Sequence, residues 1–212
     1  MKKRFEKILF DWPQPFIRDI DLMVLLKVKD QARYDLVNRA LKNNSLIILK
    51  RGLYLISSLF RRENPNAFVL AQQIYGPSYI SLESALSFHG WIPEAVLQTT
   101  SVCSKRSKTF TNEVGEFSYQ HIPSEDFYVG VISFEEALMA SPWKAVADCI
   151  YAYEKQWKSP LDLTLDMRIE AEDMLASDLN VLKDLSINYP SKRVRNILEK
   201  LFLGLKNECG FN

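Results

Sequence analysis

A chain of 212 residues, 47% hydrophobic and 25% charged, has the composition of an ordinary folded protein of one or two domains. That balance excludes a disordered chain, a collagen-like repeat and a disulfide-stapled miniprotein. The net charge of +1 conceals an asymmetry: residues 1–62 hold 14 Lys/Arg and 6 Asp/Glu, whereas residues 63–212 hold 13 and 20. A basic head on an acidic body suits a polyanion partner for the head, and it equally suits a solvated charged surface without one.

No apolar run approaches the roughly 18 residues of a membrane span. The N-terminus is basic, but Ile8-Leu9-Phe10 is too short for the apolar core of a secretory signal. The expected compartment is therefore the cytoplasm, with no membrane partner. Cys103, Cys149 and Cys209 form no C-x-x-C pair and read as reduced thiols. Two histidines, His89 and His121, are too few for a zinc site, so no metal or other cofactor is expected.

In chain order, Pro13 and Pro15 punctuate an entry, and Phe16–Leu26 has the apolar density of a short buried helix. Asp30 is placed to cap a second helix over about Gln31–Asn43. Its apolar positions are Leu36, Val37, Ala40 and Leu41, opposite a polar face of Gln31, Arg33, Tyr34, Asn38, Arg39 and Lys42. Asn43-Asn44-Ser45 ends it. A hairpin follows, Leu46–Leu49 and Tyr54–Ile56, turning at Lys50-Arg51-Gly52. Two helices and a basic-tipped hairpin outline a winged helix-turn-helix over residues 1–62.

Residues 63–212 read as an α+β domain with a small, mainly antiparallel sheet and C-terminal helices. Helices are predicted over Asn66–Ile74 and Ser81–Phe88, the latter capped by Ser81 and closed by Gly90. Strands are predicted at Val96–Val102, Lys108–Thr111, Glu116–His121 and Phe127–Val131. Helices resume afterwards, with Ser141-Pro142 as cap and first position, and a helical tail runs from about 156.

No catalytic constellation emerges. A triad needs a base, and both His89 and His121 read as structural. Phosphate-cradling glycine motifs are missing. The pairs Glu135-Glu136 and Glu172-Asp173, and the group Asp162, Asp166, Glu170, Glu172 and Asp173, read as solvated helical surface.

Leu49-Lys50-Arg51-Gly52-Leu53-Tyr54 resembles the R-x-G-x-Y wing of AbiEi-type antitoxins and their transcriptional-regulator relatives. Gly76-Pro77-Ser78-Tyr79-Ile80-Ser81-Leu82-Glu83-Ser84-Ala85-Leu86-Ser87-Phe88-His89-Gly90 resembles the same family's G-P-x-Y-I-S-x-x-S-A-L-x-x-H-G segment. Weaker matches follow at Lys105–Phe110 with Gly115–Phe117, and at Ala140–Asp148, which resembles A-x-P-E-K-A-L-x-D but carries Trp143 in place of glutamate. The resemblance implies the antitoxin half of a type IV toxin–antitoxin system. Its winged helix would repress its own operon at inverted operator repeats, acting as a monomer or weak dimer. Its C-terminal domain would counter a nucleotidyltransferase-like toxin without a stable complex. Some relatives are orphan regulators, and residues 156–212 match nothing in the family.

In a helix-turn-helix the second helix reads bases, which assigns Gln31, Arg33, Tyr34 and Asn38 to the groove. Tyr34 suits a core position equally well. Arg39, Lys42, Lys50 and Arg51 are placed for phosphates, while Gly52 and Tyr54 shape the hairpin. Lys105, Arg106 and Lys108 form a second basic turn, suited to an anionic partner or to solvent. The alternative to a DNA-binding regulator is a protein-interaction module that uses the winged helix as a scaffold.

Overall fold

A computed structural model describes residues 2–123 and 125–208. They divide into two compact units, Met1–Leu70 with Phe110–Gly115, and Ala71–Thr109 with Glu116–Asn212.

The first unit runs α1 (Lys2–Asp11), β1 (Phe16–Arg18), α2 (Asp19–Leu26), α3 (Asp30–Lys42), β2 (Leu46–Lys50) and β3 (Leu53–Ile56). Its three strands form an antiparallel sheet in the order β1-β3-β2, with Ile17 and Ile48 both opposite Tyr54. Helices and sheet enclose a core that includes Phe5, Leu9, Ile17, Leu22, Leu36, Val37 and Ile56. Gly52 turns the hairpin at φ 77, a left-handed conformation that favours glycine, and Asn44 takes φ 56 after α3.

This unit departs from the sequence reading at two predicted features and adds one helix. Phe16–Leu26 is not one helix: its first three residues pair with Leu53–Leu55 as β1, because strand pairing overrides local apolar density. α1 was not foreseen, although Phe5 and Leu9 sit four apart and are both buried. Asp30 is the first residue of α3 rather than its cap; its carboxylate accepts from Arg33 Nη1 at 2.8 Å.

Beyond α4 (Ala67–Ile74), the chain forms β4 (Ser78–Ile80), α5 (Leu82–Phe88), β5 (Thr99–Cys103), β6 (Lys108–Asn112), β7 (Gly115–His121), β8 (Val131–Phe134) and β9 (Ala137–Ala140). It ends in α6 (Pro142–Ala152), α7 (Pro160–Met167), α8 (Ala171–Ala176), α9 (Leu179–Asn188) and α10 (Lys192–Glu208). The sheet order is β6-β7-β5-β4-β9-β8. Pairs β4–β5 and β8–β9 are antiparallel, whereas β4–β9 and β5–β7 are parallel.

The fold is thus α+β, but the larger sheet is mixed and six-stranded rather than small and mainly antiparallel. The parallel pairs β4–β9 and β5–β7 join strands that are not consecutive in the chain, and the elements between them let the chain return in the same direction. Phe127–Val131 is largely a turn. The strands near it are β8 and β9, joined through Glu135-Glu136 with Glu135 at φ 51, so these two acids sit in an exposed turn and not on a helix. α6 begins as read, with Ser141 as cap and Pro142 first. The Gly76–Gly90 segment is mostly core, with Tyr79, Ile80, Ser81, Leu82, Ala85 and Leu86 all fully buried. Among the described residues no helix is long and apolar enough to cross a membrane.

Candidate nucleic-acid interface

At about 100° per residue, Gln31, Asn38 and Lys42 form one stripe along the outside of α3, and all three are exposed. Gln31 Nε2 donates to Asp35 Oδ1 at 3.1 Å. Tyr34 and Arg39 lie on opposite flanks of this stripe. The Arg39 flank faces α1: Arg39 lines a cavity of about 250 Å³ with Phe5, Glu6 and Asn43, and its Nε donates to the Asp35 carbonyl at 3.1 Å. The Tyr34 flank faces the hairpin. There Tyr34, Asn38, Ile48, Arg51 and Asp19 line a notch of about 130 Å³. Tyr34 is 60% exposed, so it is a surface residue and not a core aromatic. Arg51 is exposed at the turn, while Lys50 is half-buried on β2.

Arg33 is corrected. It is buried, on the same phase of α3 as Leu36, Val37 and Ala40. Its Nε and Nη2 donate to Asp19 at 3.2 and 3.3 Å, and Nη1 donates to Asp30. Burial opposes its charge, but the bonds to the two carboxylates outweigh that and hold the guanidinium pKa above its usual value. Arg33 therefore ties α3 to the start of α2, and with its side chain only 10% exposed it does not stand on the outer face of the helix. The Asp19 backbone N–H also donates to the Gly52 carbonyl at 2.9 Å, which ties the start of α2 to the hairpin turn. Two members of this face were missed from sequence: Asp19, and Ile48, which is 45% exposed in a strand that reads as uniformly apolar. The register shift between Ile48 and Lys50 in β2 changes which side chains face outward, a feature the apolar run does not signal.

The second basic turn belongs to the other unit. Lys105 Nζ donates to the Gly76 carbonyl at 2.5 Å and lies 5.5 Å from the Tyr75 ring centroid, so its ammonium braces the turn. Arg106 and Lys108 are exposed.

In that unit a buried polar cluster was not foreseen. Asp148 Oδ2 accepts from Tyr79 Oη at 2.9 Å and Ser81 Oγ at 2.7 Å, and Oδ1 accepts from Tyr189 Oη at 2.9 Å. Lys144 Nζ stands 3.4 Å from Asp148 Oδ1, between the Tyr79 and Tyr189 rings, and both charged side chains are fully buried. Burial first, then the Asp148 charge, holds both phenols well above their usual pKa. The residues come from β4, the cap of α5, α6 and the end of α9, so the cluster fastens sheet to helices. Trp143 is buried beside it in α6, edge-on to Trp91, with its indole N–H donating to Ser177 Oγ at 2.7 Å.

His89 Nε2 sits 2.9 Å from the Ala140 carbonyl at the end of α5, and His121 is exposed at the end of β7. The acidic residues 162–173 do not converge: Asp162 accepts from the Lys158 and Ser159 backbone, and Asp166 from Lys155 and Trp157.

No family model matches the chain, and no curated protein matches it either. It is similar in fold to the crystal structure of the RV2827C protein from Mycobacterium tuberculosis, with a TM-score of 0.55 at 12% identity over 94% of this chain and 80% of that one.

Proposed function

We propose that this chain is a cytoplasmic DNA-binding transcriptional regulator without enzymatic activity, whose first unit is a winged helix-turn-helix of the AbiEi antitoxin kind. The observation that carries the reading is the shared face of α3 and the hairpin. Gln31, Asn38 and Lys42 run along the helix, and Arg51 projects from the turn into the same notch as Tyr34 and Asn38. The strand order β1-β3-β2 and the element order α1-β1-α2-α3-β2-β3 support it, as does the excess of positive charge in residues 1–62. In this reading α3 enters the major groove, Gln31 and Asn38 meet base edges, and Lys42, Lys50, Arg51 and Arg39 meet phosphates. The partner is double-stranded operator DNA, and a nucleotidyltransferase-like toxin is the functional counterpart.

A gel-shift titration against the duplex upstream of its own gene tests this. Four phosphate contacts give a slope of log affinity against log salt of about −3 to −4. Arg51→Ala should weaken binding and reduce that slope by about 1. Unaltered binding by both Arg51→Ala and Lys42→Ala would remove the face.

One observation favours a protein partner instead. Ile20, Met23 and Val24 form an apolar stripe on α2, and they are 54%, 42% and 60% exposed. Capture of a protein, with no DNA affinity at low salt, would support that second reading.

A further inference from the structure

We infer that the notch between α3 and β2 recognises the methyl edge of a thymine, beside an adenine held by Asn38. This rests on the DNA-binding reading and adds the sequence preference to it.

The argument begins with exposure. Tyr34 and Ile48 keep 60% and 45% of their surface in solvent, although the core beneath them is already filled by Val37 and Tyr54. Both flank the same notch of about 130 Å³, with Asn38 and Arg51 at its edge. A largely apolar recess bordered by one amide, one guanidinium and a carboxylate paired to Arg33 matches the major-groove edge of an A·T step. Thymine presents a methyl group there, and adenine presents the N6 donor and N7 acceptor that an asparagine amide pairs with bidentately.

The recess also discriminates against cytosine. In place of the methyl, a cytosine has only C5–H, and at C4 it carries an amino donor where thymine has an acceptor; that donor needs an acceptor once water is displaced. The carboxylate lining the notch is Asp19, and both its oxygens already accept from Arg33. A cytosine at the notch would thus leave the space between Tyr34 and Ile48 unfilled and bring its amino group toward a carboxylate already engaged by Arg33. Guanine is left to Arg51, whose position at the turn suits a phosphate better than a base within the recess.

The test starts with binding-site selection from a random duplex pool, followed by replacement of each thymine in the selected site with deoxyuridine, which removes only the methyl. At one thymine per half-site the replacement should weaken binding about fourfold, the worth of one buried methyl group. Ile48→Ala should abolish the difference between thymine and deoxyuridine at that position while leaving the salt slope unchanged, because Ile48 neutralises no phosphate. A selected site in which no thymine responds to the replacement would overturn the inference and leave the DNA-binding reading standing. Failure to select any duplex would overturn both. The deoxyuridine series uses the unaltered protein, so its outcome does not depend on whether a variant folds.

Discussion

Asp19 in the first unit and Asp148 in the second are both carboxylates surrounded by donors, but they sit in opposite settings. Asp19 keeps 41% of its side chain in solvent and shares Arg33 with the still more exposed Asp30. Asp148 is fully enclosed, takes three hydroxyl bonds, and has a buried ammonium beside it. The first arrangement shapes a surface: it orients α3 against α2 and neutralises two acids beside the α3–hairpin face proposed above to meet DNA. The second organises an interior, and water cannot substitute for any donor that is lost. Ion pairs near solvent contribute little to stability, whereas breaking an enclosed one strands a charge.

That contrast is broken or sharpened first by Asp148→Ala. Removing the carboxylate leaves Lys144 unpaired and three hydroxyls without their acceptor, so stability should fall by about 3–5 kcal/mol in urea denaturation followed by circular dichroism. The double variant Lys144→Met/Asp148→Leu should recover much of this loss, since it removes both charges together. A single variant as stable as the parent would mean that the cluster is not the fastening it resembles.

A smaller effect is expected from Arg33→Met. It keeps the aliphatic stem in the core and deletes the charge, so the melting temperature should fall less than in Asp148→Ala. DNA affinity should drop severalfold as Asp19 and Asp30 lose their counter-ion, with the salt slope unchanged because the guanidinium touches carboxylates. A slope reduced by about 1 would instead place Arg33 on a phosphate.

The smallest effects are in the pH dependence. Hydrogen bonds from the Lys158 and Ser159 backbone hold Asp162 below its ordinary 3.8, and bonds from Lys155 and Trp157 do the same for Asp166. Their stabilisation is complete above the unfolded value and is lost as pH falls through the lower folded values. Tyr79 and Tyr189 act at the other end: the unfolded chain ionises near 10.0 while the folded one keeps its protons, so stability declines as pH rises past that point. Urea midpoints across pH should bend at both ends, with Asp162→Asn/Asp166→Asn flattening the acid limb and Tyr79→Phe/Tyr189→Phe the alkaline one.

What could be read from sequence follows the range of the forces involved. α3, the hairpin and the Gly52 turn are set by local periodicity and backbone preference, and they appear where those signals put them. β1 spans three residues, too few for an alternating pattern, and exists only through its pairing with β3. Residue type places Arg33 on the outer face, although its spacing from Val37 and Ala40 puts it on the buried stripe. Helical phase is the better guide. The Lys144–Asp148 spacing is visible as i,i+4, but it is equally the spacing of a solvated surface pair. Only the burial of all of Trp143–Ile150 distinguishes the two, and that depends on distant strands and helices.

The bond from Tyr189 to Asp148 spans 41 residues of sequence. A ribosome makes Tyr79, Ser81, Lys144 and Asp148 well before it reaches the donor that completes their cluster. The interior of the second unit therefore closes late in translation, whereas the first unit, apart from residues 110–115, has its core residues available by Leu70 and can gain structure while the rest is still being made.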